Sequence, residues 1–378
     1  RCVQKRAVSM LSGLKVIEFE GLGPAPFAGM MLADLGADVI VIHRETGDKS
    51  PGLARHNLLD RGKRSIVLNL KDADEKQLAH RLVCQADGLI EGFRPGVMER
   101  LGLGPEEVMQ INPRLVYGRV TGWGQTGPLA RAAGHDLNYL ARSGGLWYAS
   151  NAGEAPFPPP TLLGDIGGGA LYLVIGVLVA LLTQKTTGKG AVIDAAMVDG
   201  TSHMLSLLMS LQGQGGLVKE RGKSLLDGPH FSRSYACRGG GYISVQCLEP
   251  QFYAAFLRKL DLQEDADFCK QFEPALWPEL TARLAGLFAQ KPALHWDDLF
   301  AQTDACVAKI NAPQDAQNDP HIQARQIWSW AQGLLQAAPA PRFSTWAPET
   351  IGEIRAKNAD RGQILAELNE GTPDARPV

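Results

Sequence analysis

Three short segments of this chain place a titratable side chain beside glycine, proline or a helix start. Gly134-His135-Asp136-Leu137-Asn138-Tyr139 offers an imidazole and Gly164-Asp165-Ile166-Gly167-Gly168-Gly169 a carboxyl. Leu248-Glu249-Pro250-Gln251-Phe252-Tyr253 offers a second carboxyl. A histidine and carboxylates on opposite sides of one cleft can take a proton from carbon and return it from the other face. Each group also has a plain structural reading. His135 reads as a buried histidine paired with a backbone carbonyl. Asp165 reads as an N-cap, since aspartate satisfies the free N–H groups of a helix start. Glu249 reads as an exposed acid or a cap on a helix from Gln251. Asp136 and Tyr139 are either partners that orient these groups or ordinary structure.

Cations recur beside the strand patterns. Arg44 ends the second strand of the first βαβ unit, where a ligand with a phosphorylated ribose favours Arg. Arg61-Gly62-Lys63-Arg64 and Phe93-Arg94-Pro95-Gly96 add more. Together they suit a ligand with several phosphates, and singly they read equally well as solvated surface charges. Gly122-Trp123-Gly124-Gln125-Thr126-Gly127 has the spacing of a dinucleotide loop. Pro128 follows at once and no helix pattern opens, so packing glycines and a turn are the better reading.

The elements that must carry these groups alternate. Leu14 to Phe19 reads as a strand, Pro24 opens a helix over 25–35, Gly36 stops it, and 38–42 is the next strand. Further strands are expected at 65–70, 88–90, 114–120 and 191–194, with helices at 74–85 and 165–184. Strands alternating with helices predict a parallel, doubly wound sheet. After about residue 220 the character changes. Tyr242 to Gln246 reads as a hairpin strand, with helices at 251–259 and 277–290. The expected organisation is a large α/β domain over 10–220, an open Rossmann-like parallel sheet, then a smaller α+β domain over 225–320. A segment over 321–378 returns to the large domain.

The 378 residues are enough for two cores, and a net charge of −2 gives no global field for nucleic acid or acidic membranes. The six cysteines form no CxxC pair, which argues against a zinc site and a disulfide framework. Reduced thiols and a cytoplasmic location are expected, with no targeting signal seen. The longest apolar run, Ala170 to Leu182, has 13 residues. A membrane span needs about 20, so this reads as a buried helix. Met197, Met204 and Met209 near it offer either a pliable acyl surface or core packing. The chain has no GxSxG, HExxH or Walker A pattern, so those hydrolase and nucleotidase readings lack support.

Taken in order, several segments resemble the class III CoA-transferase (CaiB/BaiF) family and, within it, the α-methylacyl-CoA racemases. They are Gly13 to Phe19, Leu32 to Ile40, Arg61 to Ser65, Gly122 to Gly127, Gly134 to Tyr139, Gly164-Asp165, Thr187 to Gly190, Thr303 to Val307 and Pro320 to Arg325. The resemblance covers nearly the whole chain from about residue 12. It implies a CoA thioester substrate, no metal or redox cofactor, and an intertwined homodimer whose site is shared between subunits. Arg44, Lys63, Arg64, Arg94 and Tyr139 are then expected to hold the bound CoA ester. Transferases of this family use an aspartate matching Asp165 to attack acyl-CoA and form a mixed anhydride. Racemases pair a histidine matching His135 with that aspartate and shuttle the α-proton through an enolate. His135 and the Glu249-to-Tyr253 match favour epimerisation of 2-methylacyl-CoA over CoA transfer. Glu249 is expected to support His135, Tyr139 to hydrogen-bond the acid, and backbone N–H groups near Asp165 to hold the oxyanion. Leu226-Asp227-Gly228-Pro229-His230-Phe231 and Ala308-Lys309-Ile310 depart from the racemase pattern.

Overall fold

A computed structural model describes residues 9–45, 57–346 and 351–370. Expectations that fall on Cys2 or on the last residues lie outside them. The chain divides into two compact units. The first takes the chain up to Gly144, Pro159–Met204 and the chain from His321. The second takes Gly145–Pro158 and Leu205–Pro320. The boundaries are thus not single cuts in sequence. Two stretches read as part of the large domain, 145–158 and 205–220, belong with the second unit.

The first unit opens with strand β1 (Lys15–Phe19), helix α1 (Pro24–Asp34) and strand β2 (Asp38–His43). Pro24 stands in the first turn of α1, where its missing N–H costs nothing. Gly36 follows the helix at φ 97°, a left-handed conformation suited to glycine. Then come β3 (Arg64–Val67), α2 (Ala73–Cys84), β4 (Gly88–Glu91), the short helices α3 (Val97–Arg100) and α4 (Pro105–Ile111), and β5 (Val116–Thr121). Helix α5 (Asp136–Ser143), a π-helical segment (Leu162–Ala170), α6 (Leu171–Thr187), β6 (Ala191–Ala196) and α7 (Met197–Met204) complete the site-bearing part.

The six strands pair in the order β3-β2-β1-β4-β5-β6, every pair parallel. Alternation of side chains splits the strand residues between two cores. Ile17, Phe19, Ile40 and Ile42 pack with Leu82, Val83, Ile364 and Leu368. Val16, Val39, Val116 and Val120 pack with Ala25, Leu32, Leu173 and Val177. The doubly wound reading therefore holds, and the C-terminal helix Arg361–Glu370 closes one face. Chain order reverses between β1 and β4, which makes that boundary the switch point where open α/β sheets bind ligands, beyond the strands' C-terminal ends.

The long apolar helix is a correction. It begins as the π-helical segment at Leu162, so Asp165 is its fourth residue and not its N-cap. Nor is it buried all round. Leu173, Val174, Val177 and Leu181 are buried, while Ile175, Val179 and Leu182 are 57, 55 and 66% exposed. One stripe packs on β5, where Leu173 approaches so closely that a Cβ at Gly118 would lie 2.6 Å from it. By length and composition alone the 26 residues Leu162–Thr187 would cross a bilayer, and packing on the sheet accounts for the apolarity of the buried stripe.

The second unit is built on an antiparallel sheet of β7 (Ser232–Ala236), β8 (Tyr242–Gln246) and β9 (Val307–Lys309). Helix α8 (Ser206–Met209) precedes it, and α9 (Pro250–Lys259), α10 (Trp277–Phe288) and α11 (Ala293–Phe300) follow β8. Its core is aromatic, with Phe231, Phe256, Trp277, Phe288 and Trp296 buried together. Cys84, Cys237, Cys247, Cys269 and Cys306 are free thiols.

Candidate active site

Three strand ends of the first unit make the walls of one cleft. After β1, Gly21 to Pro24 form a tight turn in which Gly23 adopts φ 70°. After β4, Gly92 to Pro95 form the second wall, and after β5, Thr121 to Trp123 form the third. The cleft holds about 480 Å³ and lies at the switch point. His135, Asp165, Tyr139, Arg44 and Arg94 all line it.

Buried polar contacts set these loops. Glu91 ends β4, and its Oε2 accepts the Phe93 N–H at 2.6 Å. Its Oε1 takes Arg119 Nε at 2.8 Å, and Arg119 reaches on to Glu99. Burial pushes the Glu91 carboxyl up to about 7 against the pull of Arg119. Glu20 directly follows β1 and accepts the Arg44 N–H at 2.9 Å. Its carboxyl also contacts His43 and Lys357, and these partners hold it down at about 2 although burial opposes them. Sequence reading passed over both acids. The available signal was a carboxylate at the C-terminal end of a strand.

His135 is the N-cap of α5, in extended backbone, and its N–H donates to Asn138 Oδ1 at 3.0 Å. Its side chain is exposed to the cleft side of the unit, so the buried-histidine reading fails. Tyr139, one turn on, is buried and meets Trp123 edge to face at 4.8 Å. Its ring occupies the space a Cβ at Gly122 would need, 1.9 Å away. Gly124 and Gly127 take φ of 86° and 93°. The glycine run after β5 is therefore a packing turn, as the sequence context suggested. The Tyr139 hydroxyl donates to the Gly134 carbonyl. That contact corrects its expected bond to the acid.

Asp165 is half-buried, and its carboxyl is pushed up to about 6. Burial is the main cause, the neighbouring charge of Asp136 adds to it, and His135 opposes it. Asp136 is itself buried, and its Oδ1 accepts two backbone N–H groups, from Gly164 at 2.8 Å and Asp165 at 2.9 Å. The N–H groups near Asp165 expected to hold an oxyanion thus already have a partner. The first N–H groups of α5, at Asp136 and Leu137, have no partner within their own helix by geometry.

Two expected ligand cations are corrected. Lys63 is buried, its Nζ 2.6 Å from Glu18 and 2.9 Å from the Pro26 carbonyl. Arg64 bridges Asp38 at 2.6 Å and Glu367 at 2.8 Å. Lys63 and Arg64 are thus engaged in internal ion pairs and do not line the cleft. Arg44 and Arg94 follow strand ends and line the cleft. Met197 lines it too, and Met204 packs on Gly167. Glu249 belongs to the second unit, where it is exposed and stands at the N-cap position of α9 without a capping side-chain hydrogen bond. His230, in a segment that departs from the racemase pattern, is buried against Tyr253 with Nε2 2.7 Å from the phenol, and burial lowers it to about 4.

Residues 11–363 match the family described as CoA-transferase family III. The chain is 40% identical to the α-methylacyl-CoA racemase of Mus musculus, over 89% of this chain and 87% of that protein. It is 41% identical to the α-methylacyl-CoA racemase of Homo sapiens, over 83% and 81%. A solved CaiB/BaiF family protein from Brucella suis superposes with a TM-score of 0.81 at 29% identity, covering 95% of this chain and 99% of that one.

Proposed function

The chain belongs to CoA-transferase family III, and from that premise we propose that it epimerises the α-carbon of 2-methylacyl-CoA thioesters. The carrying observation is that His135 and Asp165 line one cleft at the switch point, with Asp165 held near neutral pH. A base works best when its pKa lies near the working pH. One of the pair removes the α-proton, and the C–H electron pair moves into the thioester carbonyl to give an enolate. The other, protonated, returns a proton to the opposite face. The two then exchange protonation states between the two directions of reaction, so no atom is gained or lost.

An enolate in this cleft needs hydrogen-bond donors for its oxygen. The first N–H groups of α5, beside His135, are the donors we assign, since a helix N-terminus favours negative charge. One such donor typically lowers a barrier by about 2.7–4 kcal/mol. Arg44 and Arg94 supply positive charge for the CoA phosphates. The reaction as written uses no metal or redox group.

We propose further that the protein works as a homodimer. The exposed apolar stripe Ile175, Val179 and Leu182 of α6 supports an interface between two copies. In the intertwined arrangement that the family resemblance implies, Glu249 of a second copy would support His135. Light scattering on the purified protein tests the dimer, and a monomer at micromolar concentration would refute it.

The function is tested with each enantiomer of a 2-methylacyl-CoA in D₂O. Exchange of the 2-proton with epimerisation is expected from both. CoA transfer to a free acid, or hydroxylamine trapping of an aspartyl anhydride at Asp165, would favour the transferase reading instead.

A further inference from the structure

Asp136 is the first residue of α5, and an acid there needs no explanation beyond the helix dipole. Its hydrogen bonds do. Oδ1 does not turn back onto its own helix but reaches 28 and 29 residues along the chain, to the N–H groups of Gly164 and Asp165. The residue is 7% exposed, and its bond to the Gly164 N–H is buried. Gly164 makes the approach possible, because a Cβ there would lie 2.5 Å from Asp136 Oδ1.

We propose that Asp136 is a positioning residue that fixes the spacing of the two bases. His135 and Asp136 are adjacent in the chain, and so are Gly164 and Asp165. One carboxylate holding the second pair of N–H groups therefore locks the backbone of Asp165 onto the backbone of His135. The same carboxylate is a like charge beside the Asp165 carboxyl and raises its basicity. The other groups acting around Asp165 are His135, which opposes that rise, and Tyr139 on the next turn of α5. The clamp and the tuning thus come from one side chain. This inference rests on His135 and Asp165 being the working bases.

The test uses two variants of the full chain. D136N is close to isosteric and keeps an oxygen acceptor but removes the charge. D136A removes both. Hydrogen exchange of the Gly164 and Asp165 amides reads the clamp, and ¹³C NMR of the Asp165 carboxyl, assigned with D165N, reads the tuning. Protection of both amides should be lost in D136A and largely kept in D136N. The Asp165 midpoint should move to lower pH by about one unit in D136N. In D136A, kcat should fall on the order of 100-fold through misplacement, with KM little changed. Unchanged amide protection in D136A, or an unchanged Asp165 midpoint in folded D136N, would overturn the proposal. The NMR readouts need no turnover. If they respond while the wild type fails to exchange an α-proton, the clamp stands and the racemase reading falls.

Discussion

Lys63 Nζ lies 2.6 Å from Glu18 Oε2, and each side chain is only 1% exposed. A cation that sequence reading assigned to the ligand is instead enclosed beneath α1, where the Pro26 carbonyl takes a second of its protons. Burial pushes the Glu18 carboxyl up, and the Lys63 ammonium beside it pulls the other way. The pair is therefore coupled, and removing one partner strands the other.

Lys63→Met should destabilise the first unit by about 3–5 kcal/mol, the usual cost of an uncompensated buried charge. Glu18→Gln combined with Lys63→Met should recover most of the loss. Urea unfolding followed by circular dichroism measures both. A Lys63→Met protein of wild-type stability but raised KM for the CoA ester would return Lys63 to the ligand site.

His135→Ala should retain the fold, since the side chain is exposed and its N-cap hydrogen bond to Asn138 comes from the backbone. Epimerisation should fall by about 10²–10⁴-fold, the range of a general acid–base group. Proton exchange should be lost most strongly from the enantiomer whose hydrogen faces the imidazole. Rates from each enantiomer in D₂O check this, and undiminished exchange from both would remove His135 from the mechanism.

Turnover in either direction needs one group of the pair ionised and the other protonated, so the working enzyme carries one proton shared between His135 and Asp165. The two forms have equal proton counts, and the ratio of kcat/KM in the two directions equals the equilibrium constant, which does not change with pH. Both enantiomers should therefore give the same bell-shaped profile. With the Asp165 carboxyl pushed up to about 6, one limb should fall near that pH. Paired pH–rate profiles test the assignment, and a profile with no limb near pH 6 would argue against it.

The same shift should cost stability. With its folded pKa at about 6 against an ordinary 3.8, Asp165 keeps a proton in the folded state that the unfolded chain has lost. Stability therefore falls as pH rises from 3.8 to about 6, and the loss is fully present above that. Asp165→Asn should raise stability at pH 8 by on the order of 1 kcal/mol, allowing for screening of a half-exposed group. It should raise it little at pH 4. Thermal unfolding at the two pH values reads the difference, and no gain at pH 8 would sink the idea.

Gly122→Ala should disturb the site from a distance. The new methyl would meet the Tyr139 ring at 1.9–2.5 Å, and that ring holds the Gly134 carbonyl next to His135. Overpacking of this kind typically costs about 1–3 kcal/mol. Epimerase activity should fall further than the melting temperature alone explains. Wild-type kinetics in this variant would show that Tyr139 moves without consequence.

Much of the architecture was legible in the chain itself. Val16, Ile17, Val39 and Ile40 belong to apolar runs bounded by Pro24, Gly36 and similar punctuation, which is enough to specify a buried parallel sheet. The glycine run after β5 was readable as a turn because Pro128 and the missing helix pattern argue locally. His135 and Asp165 stood out because their segments match a family pattern, not because their spacing in sequence says that they meet.

The alternation of strand and helix, the family and the two candidate bases can all be read along the chain. These depend on local composition and on ordered motifs. Which charges face the cleft depends on how the chain folds. Lys63 and Arg94 look alike in sequence, each a cation beside a strand. Lys63 is enclosed by Glu18 and the Pro26 carbonyl, whereas Arg94 follows β4 and lines the cleft beyond the strands' C-terminal ends. Nor could spacing reveal that the Asp136 carboxylate takes the N–H groups of Gly164 and Asp165. That bond exists because α5 and the π-helical segment pack together, and contacts between residues so distant along the chain are written in the fold rather than in any local pattern.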